Sequence, residues 1–152
     1  MNRLLRTLSI LVLTLVAAPA FAAGSLTVSD AWIRPPAVAG RPAALYFTVT
    51  NSGKTADELQ SIATPAAKTA QLHQTLHENG VMSMKKVETV EIPADSVTNF
   101  APMGLHVMLF TPDASLVPGA KIPVTLTFKT TGPLSIEAEV KAGKPAADSH
   151  KH

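Results

Sequence analysis

The chain has no cysteine, and only one tryptophan and one tyrosine among its 152 residues. Without thiols there is no disulfide staple, no thiolate nucleophile and no Cys-ligated metal. A structural Cys-zinc site and a blue-copper electron-transfer centre are therefore both excluded. Charge of a dominant sign is missing too. Of the 13 basic residues, Arg3 and Arg6 fall within residues 1–22, and the remainder balance the 11 acidic ones, so the rest of the chain has no formal net charge. A nucleic-acid partner normally demands a basic surface and is not expected.

The one long apolar run, about Leu8 to Ala18, is shorter than the roughly 20 residues needed to span a bilayer. It follows Arg3 and Arg6 and precedes Ala20-Phe21-Ala22, the order of a secretory signal peptide cleaved after Ala22. With no Cys after the run, lipid attachment there is not expected, nor is stable membrane insertion after cleavage. The chain divides into a signal peptide (1–22), one domain (23–143) and a polar tail (144–152). The domain is long enough to bury a core without disulfides.

What the domain does have is short β-runs punctuated by turn chemistry. "SLTVSDAWIR" ends at Pro35-Pro36, and "AALYFTVTN" ends at Asn51-Ser52-Gly53. Further runs cover 58–65, 69–77, 81–90, 96–100, 105–110, 121–129 and 133–141, with no long 3.6-residue period among them. Eight or nine strands at such spacing predict an all-β sandwich or barrel.

It also has imidazoles and thioethers, unevenly placed. His73, His77 and His106 and all four methionines after the leader (Met82, Met84, Met103, Met108) lie between residues 73 and 108. Methionine commonly fills core gaps and histidine commonly decorates loops. The pattern here is more specific than that. Asn79-Gly80 signals a two-residue hairpin loop. With that loop, His77 opposes Met82 and Thr75 opposes Met84, and His73, His77, Met82 and Met84 share a face. A three-residue loop would slip the register and part His73 from Met84. In "GLHVMLF" (104–110), alternation puts His106 and Met108 on one face and Leu105, Val107 and Leu109 on the other.

Imidazoles with thioethers, and no thiolate or carboxylate, make a neutral, soft donor set. Such a set selects Cu(I) over Zn(II), Mg(II) or Ca(II). No nucleophile and base pair accompanies it, because Ser83 turns away from Met82 and Met84; binding rather than catalysis is expected. Met103 reads as loop packing, and Trp32 and Tyr46 as core or rim aromatics. Arg34, before Pro35-Pro36, suits hydrogen bonding to loop carbonyls.

The spacing His73-x10-Met84-x21-His106-x-Met108 resembles that of the PCu(A)C-type periplasmic copper chaperones. "SDAWIRPP", "YFTVTNSGKTADEL", "LHQTLHENGVMSM" and "PVTLTF" are similar to that family's running sequence, over about residues 25–130. The resemblance implies a cupredoxin-like Greek-key β-fold, with Cu(I) held by His73, Met84, His106 and Met108. It also implies a periplasmic location and copper delivery to the CuA centre of cytochrome c oxidase. The partner would be oxidase subunit II or a Sco-type assembly protein, and the chain would be a monomer. His77 is expected to be an exposed hairpin residue, and Met82 to lie beside the site. His150 and His152 could capture Cu(II), although a plain polar tail is the simpler reading. The alternatives are copper storage or detoxification in the same compartment, and an adhesion or assembly module whose methionines are core.

Overall fold

The computed structural model describes residues 25–142. The proposed signal peptide and the tail with His150 and His152 lie outside the described residues. Among those described there is no helix, and ten strands follow one another: β1 (Leu26–Arg34), β2 (Ala43–Asn51), β3 (Asp57–Ala63), β4 (Ala67–Glu78), β5 (Val81–Lys86), β6 (Val90–Ile92), β7 (Ser96–Phe100), β8 (Leu105–Pro112), β9 (Lys121–Phe128) and β10 (Gly132–Val140). The all-β expectation holds, with one strand more than the upper expected number. The extra strand arises because the run 81–90 breaks. Val87 N–H donates to the Leu72 carbonyl, and the chain then leaves β4 to pair β6 with β3, Asp57 opposite Ile92.

The strands form one sheet in the order β5-β4-β8-β7-β2-β1-β10-β9-β3-β6, with β8 also pairing β2. The end strands β5 and β6 are consecutive in sequence and separated only by residues 87–89, so the sheet must roll until its ends approach. One core fills the roll. Ile33, Leu45, Phe47, Val49, Leu59, Ile92, Val107, Leu109, Leu126 and Phe128 are essentially inaccessible to water. These are the alternate residues of their strands, as a half-buried sheet requires. Phe47 stacks on Phe100 with ring centroids 4.3 Å apart.

Two buried polar side chains close the irregular corners. Asp57 accepts hydrogen bonds from the backbone N–H groups of Glu58, Thr130 and Thr131 and from the Thr131 hydroxyl. Asn51 donates to the carbonyls of Thr55 and Ile92 and accepts from Gly53 N–H. Each satisfies turn groups that would otherwise be buried unpaired.

A bulge in β1 decides what the outer face of the roll carries. Ser29 pairs with Thr48, but Trp32, three residues on, pairs with Tyr46, only two residues back along β2. Asp30 takes up the extra residue with φ of 53°. Without it, alternation would send Ile33 outward; with it, Ile33 enters the core and Trp32 and Arg34 turn out.

Candidate metal centre

The hairpin register follows the two-residue loop. Glu78 opposes Val81, His77 opposes Met82, Thr75 opposes Met84 and His73 opposes Lys86. Asn79 and Gly80 both have positive φ, 51° and 78°, the type I′ conformation that Asn-Gly favours. On its other edge β4 pairs with β8, and there His73 lies directly opposite His106 and Gln71 opposite Met108. Directly opposed residues share a face, so His73, Met84, His106 and Met108 all project from the same side of the sheet. It is the outer side, since Leu72 and Val107 project into the core.

The same face continues across β2 and β1. Ala44 opposes Met108, and Trp32 and Arg34 oppose Tyr46 and Ala44. A cleft of about 210 Å³ opens there. Met84, His106 and Met108 line it on one side, and Pro35, Pro36, Ala37 and Pro42 of the loop after β1 line it on the other, with Arg34 and Ala44 completing the wall. His73 flanks the cleft rather than lining it; its ring centroid lies 6.0 Å from that of His106.

Both imidazoles hold a nitrogen ready for an electrophile. His106 is buried, and its Nδ1 is 3.0 Å from the Gly104 carbonyl, which can only accept a hydrogen bond, so Nδ1 carries the hydrogen and donates it. That bond fixes the tautomer and leaves the Nε2 lone pair free. The Gly104 carbonyl also accepts the Thr75 N–H at 3.1 Å, tying the turn before β8 to the hairpin. In His73 the roles are reversed. Nε2 is 3.4 Å from Gln71 Oε1, while Nδ1 is buried and has no hydrogen-bond partner. An unpartnered buried acceptor normally costs stability, and a metal ion would satisfy it. Two imidazole nitrogens bound at roughly 2 Å to one four-coordinate ion would leave ring centroids about 5–5.5 Å apart, so the observed 6.0 Å needs only a small closing movement of the rings. Burial, then the neighbouring His106, then Lys86, all lower the pKa of His73 below 6.5, which keeps the ring neutral and able to ligate.

The thioethers differ from each other in exposure. Met108 is half-buried, whereas Met84 is 63% exposed on β5, an edge strand whose six residues are all exposed. Among the described residues no three His, Asp or Glu side chains come together, so the donors at the cleft are imidazole and thioether alone. Such a set holds a soft monovalent ion without neutralising its charge.

Other residues stand apart from expectation. Arg34 donates to the Tyr46 hydroxyl rather than to loop carbonyls, with its guanidinium 5.3 Å from the Tyr46 ring centre. Tyr46 is buried, packs at a tilt of 36° against Trp32 with ring centroids 4.6 Å apart, and lies 6.4 Å from the His106 ring. Sequence reading gave these three no part in the site; the missed signal was the bulge, which turns Trp32 and Arg34 to the His106 face. Met103 is not packed in a loop: it is exposed, with φ of 69°, in the turn entering β8. His77 is exposed as expected, and Met82, half exposed, does not line the cleft.

Comparison with known proteins places the fold. The chain is 32% identical to a putative lipoprotein of Leifsonia xyli subsp. xyli over 88% of its own length and 80% of that protein's. In structure it is similar to the copper-bound PCuAC domain from PmoF2, with a TM-score of 0.67 and 26% identity, covering 81% of this chain and 97% of that one. It is likewise similar to the Cu(I) form of DR1885 from Deinococcus radiodurans, with a TM-score of 0.61 and 30% identity over 83% of each chain. A family model described as putative lipoprotein LpqE-like matches residues 26–140. The chain thus belongs to the LpqE-like family, and its all-β fold is the cupredoxin-like fold of PCuAC domains.

Proposed function

We propose that this protein binds one Cu(I) ion at His73, Met84, His106 and Met108 and carries it outside the cytoplasm. The supporting observation is the pair of imidazoles on adjacent strands, each with one nitrogen freed toward the same face: His73 Nδ1 by lacking any partner and His106 Nε2 by the Nδ1 bond to Gly104. Two solved relatives of the same fold are copper-bound by description, one of them with Cu(I). Neutral donors suit an ion that must be released again, because no anionic ligand has to be left unpaired on departure. Thioethers also bind without releasing protons, and they form no disulfides.

The destination is periplasmic, through the leader of residues 1–22. The relatives' description as lipoproteins agrees with an exported protein, although this chain has no cysteine to carry a lipid. The acceptor on this reading is the CuA centre of cytochrome c oxidase, reached through subunit II or a Sco-type assembly protein. The exposure of Met84 favours handover over storage, because an incoming ligand must reach the ion before the donor's ligands leave. An anaerobic competition titration with a Cu(I) chelator tests binding: one tightly held equivalent is expected, lost in His106→Ala and Met108→Ala variants that remain folded. Retention of that equivalent in both variants would refute the site. Deleting the gene and assaying oxidase at low copper tests delivery; an unaffected oxidase would leave storage or detoxification as the function.

A further inference from the structure

Beyond the cleft, the hairpin carries a second set of soft donors. We propose that His77 and Met82, with Met84 shared, form an outer, weaker Cu(I) station through which the ion passes between the surroundings and the cleft; this rests on the copper reading above.

The register supplies the geometry. His77 and Met82 are directly opposed, one pair in from the closing Glu78–Val81 pair. Pairs alternate along an antiparallel ladder, so next to a hydrogen-bonded closing pair this one is of the close, non-hydrogen-bonded kind, with Cβ atoms roughly 4.5–5.5 Å apart. Met84 is diagonal to His77 at roughly 7–8 Å, within reach of a flexible side chain with three rotatable bonds. The His77–Met82 row and the His73–His106 row are four residues apart along β4, roughly 13 Å, with the Met84 row midway. Met84 can therefore serve either row by changing rotamer.

The chemistry fits the same ion. His77, Met82 and Met84 are on the face of the cleft, with Thr75 and Lys86 as their other neighbours on the hairpin, whereas Glu78 projects from the opposite face. No carboxylate joins the track, so a hard divalent ion gains nothing there. Met82 and Met84 are 52% and 63% exposed and His77 is exposed, so nothing in the fold buries them. Packing does not account for two thioethers on a surface hairpin, and ligation does. A site of two or three exposed donors binds more weakly than one of four partly buried ones, as a stepping site must.

The test is an anaerobic Cu(I) titration of the purified protein carrying 13C-methyl methionine and 15N histidine, followed by NMR. In the first equivalent Met84 and Met108 methyl signals should move, and the Met82 methyl and His77 ring only in a second, weaker step. The double variant His77→Asn, Met82→Leu should keep the first equivalent, lose the second, and release Cu(I) to a chelator severalfold more slowly. The proposal is overturned if Met82 and His77 stay unmoved to two equivalents, or if the second equivalent survives in the double variant. Absence of even the first equivalent in the unmodified protein would instead overturn the copper reading itself.

Discussion

Replacing Met84 by alanine separates a ligand from a core residue more sharply than any other single change. Full burial of a methionine side chain is worth about 1.5–3 kcal/mol. With Met84 63% exposed, only about a third of that is at stake, so the variant should lose about 0.5–1 kcal/mol. If the methionines were structural filling, the loss would be about 2–5 kcal/mol, the cost of emptying a packed site. Leu109→Ala provides that contrast within the same sheet, since Leu109 is fully buried on the core face of β8. It should destabilise by about 2–5 kcal/mol and, while folded, keep its Cu(I) affinity. Loss of a direct donor should weaken Cu(I) binding by at least the factor of about 10–100 typical of losing an outer-shell partner. The assay is urea denaturation beside a chelator competition on the same preparations. A Met84→Ala protein that loses more than about 2 kcal/mol, or that binds Cu(I) as tightly as its parent, would refute the assignment.

Three further changes probe the layers around the site. Cu(I) affinity should be flat above pH 6.5 and fall only below it, as protons compete with the ion for His73, whose pKa burial and its neighbours lower; a flat titration down to about pH 4.5 would exclude ligation by that imidazole. Gln71→Leu removes the acceptor that holds His73 Nε2, and should weaken Cu(I) binding by about tenfold while leaving the melting temperature unchanged; equal affinity would mean that Gln71 does not orient the ring. Burial alone would raise the pKa of Asp57, but hydrogen bonds from Thr131, Thr130 and Glu58 outweigh it and hold the pKa at about 2, against 3.8 for an ordinary aspartate. The depressed value means that the stabilisation, about 2 kcal/mol, is present above pH 3.8 and drains away as pH falls through 2. Asp57→Asn should therefore be less stable than the parent at pH 7, and the gap in urea unfolding should close near pH 2; a gap independent of pH would be wrong for this linkage.

Much of this was legible in the sequence because strand periodicity and turn chemistry act locally. Asn79-Gly80 specifies the type I′ turn, the turn specifies the register, and the register brings His73, His77, Met82 and Met84 to one face. Alternation within 105–110 likewise divided His106 and Met108 from Val107 and Leu109. What stayed hidden depends on partners distant in sequence. Nothing local marks β4 as the neighbour of β8, which puts His73 opposite His106; the family spacing grouped the two histidines without giving that pairing. The break at residues 87–89 is also non-local, since it follows from β3 needing a partner for Asp57–Leu59. The bulge at Asp30 was unreadable for a different reason: Asp tolerates positive φ without requiring it. Its consequence, Arg34 and Trp32 on the same face as His106, was lost with it.

On the proposed copper site, the division of ligands between strands bears on how an ion could leave. His73, His106 and Met108 are on β4 and β8, internal strands paired on both sides, and their backbones cannot move without opening the sheet. Met84 is on β5, which pairs with β4 alone and buries none of its residues. Strands of that kind open at the low end of a fold's local stabilities. Lys85 and Lys86 on this short edge also discourage a second chain from pairing with it, so the strand keeps its freedom. Three donors are thus fixed and the fourth is both the most exposed and the most mobile in principle. An acceptor approaching from solvent meets Met84 first. Exchange there would convert a four-coordinate ion to one held by three donors and the partner, with no charge separated at any step. The hairpin that the Asn-Gly turn builds is, on this reading, the movable arm of an otherwise rigid site.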